Sequence, residues 1–95
     1  MKNLCDLEVG DKIFIWDYDR RQSLIGEITE LLTSSNNTVH IRYKEIIGNS
    51  HFINNMLAFS MELLRGRKRL YINSFYGHWL ISTDIDDVLE EIENN

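Results

Sequence analysis

"VGDKIFIWDYD", residues 9–19, alternates with period two, so Ile13 and Ile15 point one way while Phe14 and Trp16 point the other. Both faces of this predicted strand are therefore apolar. A strand of that kind needs cover on each side and lies inside a curled sheet or beneath a helix or partner, not on an open sheet with one wet face.

The residues downstream extend a sheet around it. "DYDRRQS" is a polar connection, and "LIGEITELL" resumes as a second strand in which Gly26 marks a bend or bulge. "TSSNNT" supplies Ser, Thr and Asn for a turn, with Asn tolerating positive φ. "VHIRYKEI" then places Val39, Ile41 and Tyr43 on a buried face and His40, Arg42 and Lys44 on a wet one. After "IIGNS", Asn49 or Ser50 is expected to cap a helix from about His51 to Arg65, with Gly66 as its stop. The apolar residues Phe52, Ile53, Met56, Leu57, Phe59, Met61, Leu63 and Leu64 cover an arc wider than the usual stripe of about 100°. Either other elements wrap this helix or one flank, near Leu57, Met61 and Leu64, remains open to a partner chain, and the Ser60 hydroxyl is expected to bond back to the Met56 carbonyl. "RKRLYI" and "HWLIS" read as two more strands around the turn "NSFYG". Thr83 is expected to cap a last helix, with Asp86 at its third position, that docks through the stripe Ile85, Val88, Leu89 and Ile92.

Residues 9–31, a Gly-Asp entry, an apolar strand, a polar loop and a glycine-bearing strand, resemble the first hairpin of SH3-like barrels over about a quarter of the chain. The expected fold is a single α+β domain over 1–95. It is a small curled antiparallel sheet or partly open SH3-like barrel of about five strands, in the order β-β-β-α-β-β-α, with two helices. No repeat, proline or Gly/Ser linker marks a boundary.

Composition narrows the function. At 43% apolar and 26% charged, the chain has the balance of a folding domain and no span of about 20 apolar residues. The opening "MKNLCDLEVG" lacks an apolar h-region, and Cys5 is alone, which together give a cytoplasmic expectation. His40, His51 and His78 lack metal-ligand spacing, "DIDD" lacks the Gly and distal Glu of a calcium loop, and no nucleophile elbow or phosphate-binding glycine run occurs. Acid pairs for hydrolysis would have to come from Asp17, Asp19, Glu27 or Glu30, all plausible surface acids. No enzyme activity, metal or cofactor is expected.

Charge is segregated. Of fifteen acids and ten bases, six acids and no base lie at 84–93, which leaves nine acids and ten bases for everything else. Glu90, Glu91 and Glu93 sit toward the negative end of the helix dipole and gain nothing from it. The favoured expectation is a non-enzymatic interaction module, binding a protein partner with a basic surface or a second copy of itself. The partner-binding residues are Asp86, Asp87, Glu90, Glu91 and Glu93 on the acidic helix, with Leu57, Met61 and Trp16 as the apolar contribution. The lack of proline and the abundance of Ile and Asn suit an AT-rich bacterial or phage genome, and with it an inhibitor or accessory protein of a mobile element.

The alternative is a small nucleic-acid-binding regulator. Arg65, Arg67, Lys68 and Arg69 would meet phosphates, and Tyr71, Tyr76 and Trp79 would stack on bases. On a strand over 68–72, however, Lys68, Leu70 and Ile72 share one face, and Arg69 and Tyr71 the other, so bases and aromatics form no single stripe. A nonspecific duplex binder uses roughly 6–10 phosphate contacts, more than these four bases supply. The same bases are better placed to flank a helix end and pair with the chain's own acidic helix.

Overall fold

The structure is a computed structural model that describes residues 2–47, 56–75 and 77–94. A short 3-10 turn at Leu4–Asp6 precedes strands β1 (Lys12–Asp17), β2 (Gln22–Thr33), β3 (Thr38–Ile47) and β4 (Met56–Ser60). The one-turn helix α1 (Met61–Leu64), strands β5 (Arg69–Ser74) and β6 (Gly77–Ser82), and helix α2 (Ile85–Asn94) complete the chain. All six strands form one curled antiparallel sheet in the order β4-β3-β2-β1-β6-β5, a half-barrel open between its two edge strands, as in a small SH3-like fold.

β1 receives both covers that its alternation requires. Ile13 and Ile15 face the inside of the curl with Leu24, Ile28, Ile41, Tyr43 and Ile81, while Trp16 and Phe14 lie on the outer side against Leu80 of β6 and Val88 of α2. Its neighbours β2 and β6 are antiparallel to it on either side. The curl comes in part from register shifts in the β2–β3 ladder at Ile25/Gly26 and Ile28/Glu30, since an inserted residue bends and twists a strand.

Gly26 has a specific reason to be glycine. A Cβ there would stand 2.7 Å from Cδ2 of Tyr43, whose ring lies across the strand in the buried core. Burial also pushes the Tyr43 hydroxyl pKa up to about 12. Gly26→Ala is expected to displace this ring and cost about 1–2 kcal/mol, read as a lower urea midpoint with an unchanged m-value. The expected turn at 33–38 is present, and Asn37 takes the left-handed conformation at φ 63°.

The expected helix over 51–65 is corrected. Its first third, residues 51–55, and the proposed caps Asn49 and Ser50 lie outside the described residues, but Met56–Ser60 is a strand paired to β3 from Thr38↔Ser60 to Arg42↔Met56. Leu57 and Phe59 turn inward onto the core and Met56, Ala58 and Ser60 outward. Five residues of "MLAFS" satisfy either period, and the vacant edge of β3 decides for the strand. Ser60 does not bond back to Met56. Its hydroxyl accepts the backbone N–H of Glu62 at 3.3 Å and caps α1, which ends at Leu64 with Arg65 as its C-cap, and Gly66 follows in the left-handed conformation at φ 66°. Among the described residues the sheet therefore has six strands, one beyond the roughly five expected, within the same curled SH3-like architecture.

Candidate functional site

α2 has three faces in three environments. At about 100° per residue, Asp87, Glu91 and Val88 turn toward the sheet, Ile92, Ile85 and Leu89 form a strip along one flank, and Glu93, Asp86 and Glu90 follow toward solvent. The expected apolar docking stripe is thereby corrected: Val88 is buried, but Ile85, Leu89 and Ile92 remain 39%, 46% and 40% exposed. Polar contacts set this rotation.

The sheet-facing acids are all engaged. Asp84, not Thr83, caps the helix: its Oδ1 accepts the Asp86 N–H at 3.0 Å, while its own N–H donates to the Ser82 hydroxyl oxygen at 3.0 Å. Lys68 Nζ donates to the Asp84 carboxylate at 3.3 Å. Asp87, itself buried, accepts the Ser82 hydroxyl at 2.6 Å and the Arg69 guanidinium at 3.2 Å, with Lys68 at 3.9 Å. Glu91 accepts from the Tyr71 hydroxyl at 3.4 Å. Thr83 instead donates its hydroxyl to the Lys2 carbonyl at 2.7 Å. The Asp86 N–H first and Lys68 second hold the Asp84 carboxyl below the usual carboxylate range. Burial, then the neighbouring Glu91 carboxylate, push the Tyr18 hydroxyl well up.

These bonds orient the helix. With Asp87 and Glu91 turned toward β5, the opposite flank looks along the sheet toward β2. Among the described residues no helix lies over the sheet there. Phe14, Ile25 and Ile47, cross-strand neighbours on β1, β2 and β3, make an apolar row on its outer face, with Ile47 63% exposed. A concave region of about 620 Å³, bordered by Lys12, Phe14 and Thr83 among others, opens at the N-terminal end of the helix. Two apolar features thus border a candidate corner beside α2: the exposed strip Ile85, Leu89 and Ile92 with Asp86, Glu90 and Glu93 beyond it on the helix, and the cross-strand row Phe14, Ile25 and Ile47 on the sheet.

The acidic helix and the basic segment expected from the sequence meet, but inside the molecule. Lys68 and Arg69 are held by Asp84 and Asp87, Arg65 stands 3.7 Å from Glu62, and Arg67 is exposed while its carbonyl accepts the Leu4 N–H. Trp79 packs half-buried on the main core, Tyr71 is exposed beside Glu91, and Tyr76 lies outside the described residues. Trp16, Leu57 and Met61 do not form an open apolar flank. Trp16 is buried under α2, and Leu57 and Met61 pack against the core, because the helix assumed to display two of them is largely strand.

The remaining candidates are scattered. His78 Nδ1 lies 3.0 Å from Asp19, which ties the β1–β2 turn to β6, and this contact first of all holds the Asp19 carboxyl below its ordinary value. Asp17 is buried and accepts the N–H groups of Asp19 and Arg20. Glu27 pairs with Lys44 at 3.2 Å, and Glu30 stands 3.9 Å from Arg42. His40 lines a shallow outer groove of about 440 Å³ with Leu32 and Met56, and His51 lies outside the described residues. Among the described residues no three His, Cys, Asp or Glu side chains converge as metal ligands, and no helix is long and apolar enough to cross a membrane.

No protein-family model, curated protein or solved structure matches this chain.

Proposed function

We propose that the chain is a non-enzymatic interaction module that binds a protein partner through the corner beside α2, taking an amphipathic segment with an apolar face and a row of Lys or Arg. The observation that carries this is the division of the helix acids. Asp84, Asp87 and Glu91 have partners in the sheet, whereas Asp86, Glu90 and Glu93 lie along an exposed aliphatic strip with no base in residues 84–95. Apolar contact supplies affinity there, and the acidic crest selects partners by charge. An inhibitor or accessory protein works in this manner, by occupying a basic surface on its target.

Nucleic acid binding has less support. Two of the four bases that would grip phosphates are already neutralised by α2, and the acidic crest lies over the same half of the molecule.

A synthetic leucine–lysine amphipathic peptide provides the test. At low salt it is expected to shift the amide resonances of Ile85, Leu89, Ile92 and Phe14. Glu90→Lys combined with Glu93→Lys should weaken binding about tenfold, as expected for reversing two exposed charges. The difference should shrink at about 1 M salt, where the Debye length falls to roughly 3 Å. Binding that ignores the double reversal, or shifts confined to residues away from α2, would overturn the proposal.

A further inference from the structure

We infer that the chain forms a two-fold dimer in which β5 pairs antiparallel with β5 of a second copy, joining two six-stranded sheets into one. The backbone of β5 is arranged for it. The Lys68 carbonyl accepts the Thr83 N–H at 2.9 Å, which fixes the phase of the β5–β6 ladder, so Leu70↔Ile81, Ile72↔Trp79 and Ser74↔Gly77 are the pairs that exchange hydrogen bonds. The N–H and C=O groups of Arg69, Tyr71 and Asn73 then point out of the sheet, and no group among the described residues bonds them.

Edge strands are ordinarily blocked by charge, proline or a bulge. β5 has none of these between Leu70 and Ser74, and its ladder with β6 runs without a register shift. The strand is also complementary to itself. A two-fold axis at Tyr71 sets Tyr71 against its own copy and Arg69 opposite Asn73 on the outer face. On the inner face it sets Leu70 opposite Ile72, so the apolar interior continues across the junction.

α2 prepares the outer face. Asp87 already holds Arg69 and Glu91 already holds Tyr71, so little side-chain freedom is lost on pairing and no unmatched charges are brought together. Each α2 lies over β1 and β6, which puts the two helices about four strand spacings apart, roughly 19 Å, on one side of the joined sheet. They do not collide, and the flank of Ile85, Leu89 and Ile92 stays open. The other edge, β4, offers Met56, Ala58 and Ser60 in the same sense, but among the described residues its side chains have no counterpart of the bonds by which α2 holds Arg69 and Tyr71.

Sedimentation velocity on the full chain at concentrations on the order of 100 µM, the range suited to a small strand-to-strand interface, tests this. A concentration-dependent dimer is expected, with slow hydrogen exchange at the amides of Arg69, Tyr71 and Asn73. Asn73→Pro removes an outward N–H without touching the β6 ladder, and Tyr71→Lys sets two ammonium groups face to face while keeping a partner for Glu91. Each should raise the dimer dissociation constant at least tenfold, with the monomer's circular dichroism unchanged. A wild-type chain that stays monomeric, or a dimer that both variants leave intact and whose slow amides fall on Met56, Ala58 and Ser60, would overturn the inference.

Discussion

Trp16→Ala is expected to cost about 3–5 kcal/mol of folding stability, the range for deleting a buried indole from a packed core. Trp16 is 5% exposed and fills the space between β1 and α2 with Leu80 and Val88, and its ring meets Tyr18 edge-on at 6.4 Å. The small outer core cannot collapse around the gap, because the strand below and the helix above are each fixed by other bonds. Loss of the near-ultraviolet signal and of α2 amide protection should accompany the lower urea midpoint. Trp16→Phe should cost far less, roughly 1 kcal/mol, since it keeps most of the ring packing and, among the described residues, the buried indole Nε1 has no hydrogen-bond partner to lose. Equal losses in the two variants would show that the indole nitrogen, not packing, matters.

Asp87→Ala is the second large effect, at about 2–3 kcal/mol. Most of it comes from the fully buried Ser82 hydroxyl, which loses its acceptor at a cost of roughly 1–3 kcal/mol. Lys68 and Arg69 are about half exposed and regain water, so their loss adds less than about 1 kcal/mol. Urea unfolding of the single variant and of Asp87→Ala with Ser82→Ala separates the two contributions: the double variant should recover part of the loss. If Asp87→Ala alone leaves stability unchanged, the clamp is not what seats the helix. Acid loosens the same junction. The Asp84 carboxyl is depressed in the fold, so its contribution is complete above the ordinary carboxyl range and is lost as pH falls through its lowered value.

The strands around β1 were legible because their signals are local and redundant. Two-sided alternation in Lys12–Asp17, one-sided alternation in Thr38–Ile47 and Asn-rich turn chemistry each name one structure. The pairing of the basic segment with the acidic helix was legible from charge segregation alone. β4 was not, because a short apolar run fits two periods and the vacant edge of β3, a tertiary feature, settles it. The exposed strip on α2 was hidden for a different reason. Apolar spacing at Ile85, Val88, Leu89 and Ile92 outranked the acids at 84, 87 and 91, whose own three- and four-residue spacing traces the face that binds Lys68, Arg69 and Tyr71.

The pairing of β1 with β6 joins parts of the chain that synthesis leaves far apart: Trp16 and Leu80 face each other across 64 intervening steps of sequence. The neighbouring ladders β1–β2, β2–β3 and β5–β6 are short-range hairpins that can zip early at little loop-closure cost. The late, rate-setting event in folding is then expected to be the meeting of these two halves, since the β1–β6 pairing carries the largest loop-closure cost. Val88, set over both Trp16 and Leu80, bolts the halves together once they touch, so whatever first loosens α2 also opens the molecule along this line.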